Sequence, residues 1–174
     1  MRKFIISGAA GTGKTTLINA LVQKNFTAIP EVSRQVITQE QELNSDGFPW
    51  LNIEKFTELV YQKSIVHLTN YKKAVFCDRS LIDNIAYLDH QGKAIPNNLQ
   101  QFPFQEFYHK KVFFAMPWKA IYTTDNQRPE PFEYHLSLSR VLHSTYKKYG
   151  FELIEIPFGS VQSRLKFVVD NVCL

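Results

Sequence analysis

An apolar run, a glycine-studded turn and an amphipathic helix follow one another in FIISGAAGTGKTTLINAL, residues 4–21, and few folds accommodate that order. Gly8, Gly13, Lys14 and Thr15 satisfy the spacing G-x-x-x-x-G-K-[ST], with a strand-like segment before it and helical periodicity after it. Small residues at Gly8, Ala9, Ala10 and Gly11 let successive backbone N–H groups converge on one anion, and the following helix adds its positive N-terminus. Gly11 supplies a further Cβ-free position where the loop passes closest to phosphate. On this reading Lys14 reaches the β- and γ-phosphates of a triphosphate, and the Thr15 hydroxyl holds Mg²⁺. A turn kept only for its backbone angles needs neither Lys14 nor Thr15.

Four more strand-like segments follow, at 26–31, 73–78, 111–116 and 151–157. They alternate with helical patterns over 14–25, 33–43, 53–68, 80–92, 132–150 and beyond Ser160, with Asn52 and Ser160 as N-caps and Gly92 and Gly150 as stops. The segment 93–104 reads as irregular. Alternating strands and helices predict an α/β fold with a parallel sheet covered on both faces, and such sheets bind ligands at the carboxyl ends of their strands. At 174 residues and 44% hydrophobic content the chain is expected to form one domain.

The strand ends therefore supply the remaining candidates. Asp78 closes AVFCD, where a carboxylate reaches magnesium or its bound water, or else caps the helix that starts near Ser80. Arg79 and Asp83 add charge at the same mouth. Glu31 and Arg34 follow the second strand and either meet an acceptor hydroxyl or belong simply to a helix start. TTDNQRPEP, after the fourth strand, reads as a lid within about 118–132 carrying Arg128 over a transferring phosphate, or as a loop with an ordinary exposed arginine. Phe48, Trp50, Phe102 and Phe104 either stack on a planar ring or fill the core, and the segments around them, 43–56 and 92–104, are expected to shape the acceptor side.

Composition removes other classes. The net charge of +4 is modest and its basic residues come in short pairs, so no nucleic-acid partner is expected. Cys77 and Cys173 lie far apart with no Cys-x-x-Cys, which points to thiols in a reducing compartment and gives no case for zinc. The apolar start is too short for a signal peptide and no run reaches transmembrane length, so a cytoplasmic location is expected. A switch GTPase needs N-K-x-D, which the chain lacks, and DHQG at 89–92 falls at a helix end.

VFCDRSLIDNIAYL and YTTDNQRP, together with PEVSRQVI and FELIEIPFGSVQSRLKFV, resemble the AAA-domain-labelled family of small predicted ATPases. Its relatives include the kinase domain of the bacterial nicotinamide-riboside kinase and NAD regulator and an animal GTP- and phosphatidic-acid-binding trafficking protein. The resemblance implies a nucleoside-kinase-like, three-layer P-loop fold with strand order 2-3-1-4-5, Mg²⁺ with ATP or GTP at Gly8–Thr16 including Thr12, Asp78 near the metal, and Arg128 as lid arginine. It also implies a base site near Gly159, with Asp78–Arg79 resembling the acidic-Arg-Ser motif of deoxynucleoside kinases. The expected activity is phosphoryl transfer to a hydroxyl of a small nucleoside-like acceptor, with Asp78 or Glu31 as the base. The alternatives are an NTPase switch with a protein or anionic-lipid partner, and a module that only senses nucleotide.

Overall fold

The computed structural model describes residues 2–73, 75–124 and 130–172. Its frame is a five-stranded parallel sheet in the order β2-β3-β1-β4-β5, formed by β1 Lys3–Ser7, β2 Ala28–Ile29, β3 Phe76–Asp78, β4 Tyr108–Ala115 and β5 Glu152–Ile156. The expected order is thus found. β1 lies at the centre, with Ile5 opposite Cys77 of β3 on one side and Val112 of β4 on the other.

Period-two alternation explains why both faces are covered. Phe4 and Ile6 point to one face, where they pack with Leu17 and Leu21 of α1, Lys14–Gln23, and with Leu165 and Val168 of α8, Val161–Asn171. Ile5 points to the other, into a larger core. That core is closed by α2 Val32–Glu42, α3 Ile53–Asn70, α4 Leu81–His90 and α7 Phe132–Lys148. Burying a Leu, Ile or Phe in such a core is worth about 1.5–3 kcal/mol each.

Local chemistry sets the ends. The Asn52 side chain accepts from Lys55 N and the Ser160 side chain from Ser163 N, so both expected caps are present. β2 is only two residues long where 26–31 was expected, because Pro30 offers no N–H to extend a ladder. β4 starts at Tyr108, three residues early, through a register irregularity opposite Lys3. The stretch expected to be irregular holds two single turns, α5 Asn97–Gln100 and α6 Phe104–Phe107, each directly after a proline, Pro96 or Pro103. Beyond β4 a 3-10 turn covers Lys119–Ile121. Among the described residues no helix is long and apolar enough to cross a membrane.

Candidate active site

The loop between β1 and α1 lies at the centre of the carboxyl edge, where the order of strands changes direction. Gly8 has φ 138°, and a Cβ there would lie 2.2 Å from the Ala115 carbonyl oxygen, so the passage between β1 and β4 admits only glycine. Gly11 and Gly13 follow with φ 73° and 75°. No side chain caps α1, which leaves its first amides directed into the loop.

Lys14 is buried, and its Nζ donates to Ala9 O at 2.6 Å and to Thr12 Oγ1 at 3.2 Å. Burial, reinforced by Arg79, brings its pKa down to about 7. Thr15 and Thr16 are exposed on the first turn of α1. Gly11–Thr16 form part of the wall of a cavity of about 680 Å³ that also reaches Glu31, Arg34 and Arg79. The candidates that follow β1, β2 and β3 are thereby brought to one wall, with the exception of Asp78, which does not line it.

Arg79 ties that place together. Its backbone sits at φ 68°, unusual for a non-glycine residue. Its Nε donates to Glu31 Oε1 at 2.8 Å and its Nη1 to Gly8 O at 3.1 Å, while Arg34 holds the other Glu31 oxygen at 3.2 Å. For Glu31, burial works against ionisation, but Arg79 and Lys14 outweigh it and the carboxyl falls to about 2. Asp78 shows the reverse: burial, then the neighbouring Glu31 charge, lift it to about 7. Its Oδ1 is buried without a hydrogen-bond partner, and it does not cap α4. Ser80 does so, in a capping box with Asp83.

Asp83 serves the frame as well as the mouth. It is buried and faces inward, accepting from Ser7 Oγ at 2.7 Å, from Ser80 N at 2.9 Å and from the Tyr146 hydroxyl at 2.5 Å. It therefore organises the strand ends, and its Oδ1 also stands 3.5 Å from Arg79 Nη1, so its charge acts at the mouth as well. Phe102 and Phe104 pack with Phe107 and Tyr149, and no residue of 92–104 lines the large cavity. Trp50 does line it, stacked on Phe48 at 5.2 Å. Arg128 and Cys173 lie outside the described residues; Cys77 is a buried thiol pushed up to about 12 by desolvation.

Three features of the wall have no counterpart in the sequence reading. Arg164 of α8 is 5% exposed and donates from Nη2 to Thr12 O at 3.0 Å. Its only sequence signal is an arginine set among the apolar positions Val161, Leu165 and Val168. Trp118 packs on Phe158, with ring centroids 5.2 Å apart. Tyr134 and His135 of α7 line the cavity beside Glu130.

The residues present fit a hard cation. An orphaned buried carboxylate oxygen on Asp78 and an exposed hydroxyl on Thr15 flank the anion loop, and magnesium takes such oxygen donors together with phosphate.

A parallel sheet in this order, with a glycine-rich anion loop leaving its central strand, defines a P-loop nucleotide-binding fold of the nucleoside-kinase type. The chain belongs to the family described as AAA domain, whose model matches residues 3–164. Over nearly its whole length it is similar in fold to deoxyadenosine kinase from M. mycoides with dCMP and dCDP bound, at 14% identity and TM-score 0.63, covering 97% of each chain. It is likewise similar to thymidylate kinase from Candida albicans, at 13% identity and TM-score 0.64, covering 97% of this chain and 89% of that one. A stretch of 66 residues is 36% identical to the guanylate kinase of Photobacterium profundum, covering 36% of this chain and only 32% of that enzyme.

Proposed function

We propose that the protein transfers the γ-phosphoryl group of a magnesium-bound nucleoside triphosphate, ATP or GTP, to a hydroxyl of a small nucleoside-like metabolite. The observation that carries this reading is the continuity of one cavity from the anion loop to the Glu31 carboxylate. A nucleotide-binding module without an acceptor has no use for a partly apolar chamber beyond the phosphates, walled by Trp50, Phe56 and Tyr87.

In this scheme the loop amides and Lys14 hold the β- and γ-phosphates. Lys14 exchanges its bond to Ala9 O for phosphate oxygen. Thr15 and Asp78 would hold magnesium, which offsets phosphate charge when bound. Glu31 lies on the acceptor wall, whereas Asp78 does not, so Glu31 is assigned to orient the acceptor hydroxyl and take its proton. Its low pKa is tolerable because phosphoryl transfer asks chiefly for positioning and charge stabilisation. Arg34 and Arg79 are both engaged by Glu31, which favours an uncharged hydroxyl over a monophosphate as acceptor. Arg128 is assigned to stabilise the transferring group from the lid.

The test is incubation with Mg-ATP or Mg-GTP and a panel of nucleosides, pyridine ribosides and nucleoside monophosphates, with products read by mass. A nucleoside or riboside gaining one phosphoryl group is the expected result. The pyridine ribosides are included because they present the same ribose hydroxyls on a different ring. Steady phosphate release independent of every acceptor would overturn the assignment and favour a switch NTPase. Arg128→Ala is expected to lower kcat far more than nucleotide affinity.

A further inference from the structure

One wall of the acceptor chamber is held by a carboxylate that lies outside it. Glu40, on the last turn of α2, is only 4% exposed and does not border the cavity. Its Oε2 accepts from Gly47 N at 2.9 Å, and a Cβ at Gly47 would come within 2.4 Å of the same oxygen, so only glycine allows the approach. Lys55 Nζ, from α3, lies 3.2 Å from that oxygen and donates to Asp46 Oδ1 at 2.7 Å and to Ser45 Oγ at 2.5 Å. Asn52, the cap of α3, donates from Nδ2 to Asp46 Oδ2 at 3.0 Å.

The loop so held joins α2 to α3 and carries Phe48, Pro49 and Trp50. Phe48 is buried in the core, and its ring lies within 10° of parallel to the Trp50 indole. Pro49 and Trp50 border the cavity, and Pro49 O accepts from Gln91 Nε2 at 2.9 Å, just past the end of α4. The loop is therefore fastened at its base by Glu40 and Lys55 and at its tip by Gln91, with one face of the indole backed by the core. A loop left free would spread Trp50 over many positions, and a ligand resting on it would bear the cost of ordering it.

We propose, resting on the phosphotransfer reading above, that Glu40 and Lys55 are positioning residues: by locking this loop they fix Trp50 as a platform for a planar acceptor ring, and so set acceptor affinity without touching acceptor or nucleotide. Neither residue is part of the cavity wall, so their removal acts on acceptor binding and leaves the anion loop alone. A carboxylate and an ammonium drawn out of water are a costly way to anchor a loop for stability alone, since apolar packing would serve that purpose as well. What they add is a fixed geometry for the side chain the loop presents.

The chain has two tryptophans, so Trp118→Phe leaves Trp50 as the sole indole reporter. Its emission is titrated with adenosine, guanosine, cytidine, thymidine and nicotinamide riboside, and with D-ribose as a control that has no aromatic ring. Acrylamide quenching then reports how firmly the indole is held. At least one of the five is expected to quench Trp50, and D-ribose is not. With Trp118 intact, Glu40→Ala is expected to raise KM for that acceptor about tenfold, with kcat and Mg-ATP affinity within about twofold of wild type. Trp50 should become about twice as accessible to acrylamide in the same variant. Glu40→Gln still accepts from Gly47 N and is expected to keep KM within about threefold of wild type. Gln91→Ala, at an exposed position that leaves the core intact, should raise KM about threefold by freeing the tip.

Unchanged KM in both Glu40→Ala and Gln91→Ala would overturn the inference. So would a loss of kcat and Mg-ATP affinity equal to the loss in acceptor binding, or an indole equally shielded from acrylamide in every variant. Phosphorylation of an acceptor that leaves Trp50 emission unchanged removes the platform alone. Quenching by a ligand that never gains a phosphoryl group removes the phosphotransfer reading alone, and the Glu40 variants are then compared by dissociation constant; silence toward all five with no product removes both.

Discussion

The guanidinium of Arg79 bonds to Glu31 at 2.8 Å and also reaches the Gly8 carbonyl, so one side chain joins the ends of β2, β3 and β1. A lysine has one point of charge and cannot satisfy both directions. Arg79→Lys is expected to reduce turnover at least about a hundredfold. Arg79→Met, which removes one of the two arginines on Glu31 and the 3.5 Å ion pair with Asp83, should lower unfolding free energy by about 1–3 kcal/mol in urea titrations. Wild-type stability in Arg79→Met would show that the pair contributes nothing to the frame.

Asp78→Asn should separate stability from activity. A carboxyl lifted to about 7 from an ordinary 3.8 disfavours the folded chain wherever it must ionise, so the penalty is absent below the lower value, grows between the two and is complete above the upper one. The asparagine variant is accordingly expected to be about 2–4 kcal/mol more stable than wild type at pH 8, with the gap closing toward pH 4. Magnesium-dependent turnover should vanish in the same variant. A gap independent of pH would show that Asp78 is not the titrating group.

Nucleotide binding should take up a proton above neutrality. Lys14 is held near 7 by burial and by Arg79, and a polyphosphate favours its ammonium form. Calorimetry in buffers of different ionisation enthalpy is expected to show uptake of about one proton per nucleotide at pH 8 and much less at pH 6. Lys14→Ala should abolish nucleotide binding; undiminished affinity for Mg-ATP would remove the cradle assignment.

Two glycine substitutions make a matched pair. Gly92 also has positive φ, but nothing lies within 4 Å of a Cβ placed there, so Gly92→Ala should cost about 1–2 kcal/mol and leave function intact. Gly8→Ala meets the Ala115 carbonyl and should cost more than about 3 kcal/mol and abolish nucleotide binding, as thermal melts with and without nucleotide would show.

Tyr146→Phe removes one of the four hydrogen bonds that Asp83 accepts at the base of the site. A loss of about 1–3 kcal/mol in chemical denaturation is expected. Unchanged stability would mean that Ser7 and Ser80 suffice.

The anion loop was legible because it is local: its strand, glycines, lysine and helix are consecutive, and each residue type answers to a backbone or charge requirement. Strand existence was legible for the same reason. Boundaries depended on partners that sequence does not display, as with Pro30 cutting β2 short and Lys3 drawing Tyr108 into β4. Arg164 holds Thr12 across 152 positions, and Tyr146 reaches Asp83 across 63. A buried arginine on an amphipathic helix and a tyrosine near its end read as surface residues until the sheet brings their partners beneath them. The bonds of Asp83 to Ser7 and Tyr146 were not legible, because a carboxylate in a first turn gives no sign of which way it faces.

The central position of β1 has a consequence for how such a chain can change. Glu31 and Arg79 come from the strands on one flank, and Trp118 and Phe158 from those on the other, with the glycine loop between them. Loops on one flank can be exchanged without disturbing the opposite one, so new acceptors could be acquired while the triphosphate end is inherited unaltered. Chimeras spliced on either side of the first strand are the natural way to exploit that independence.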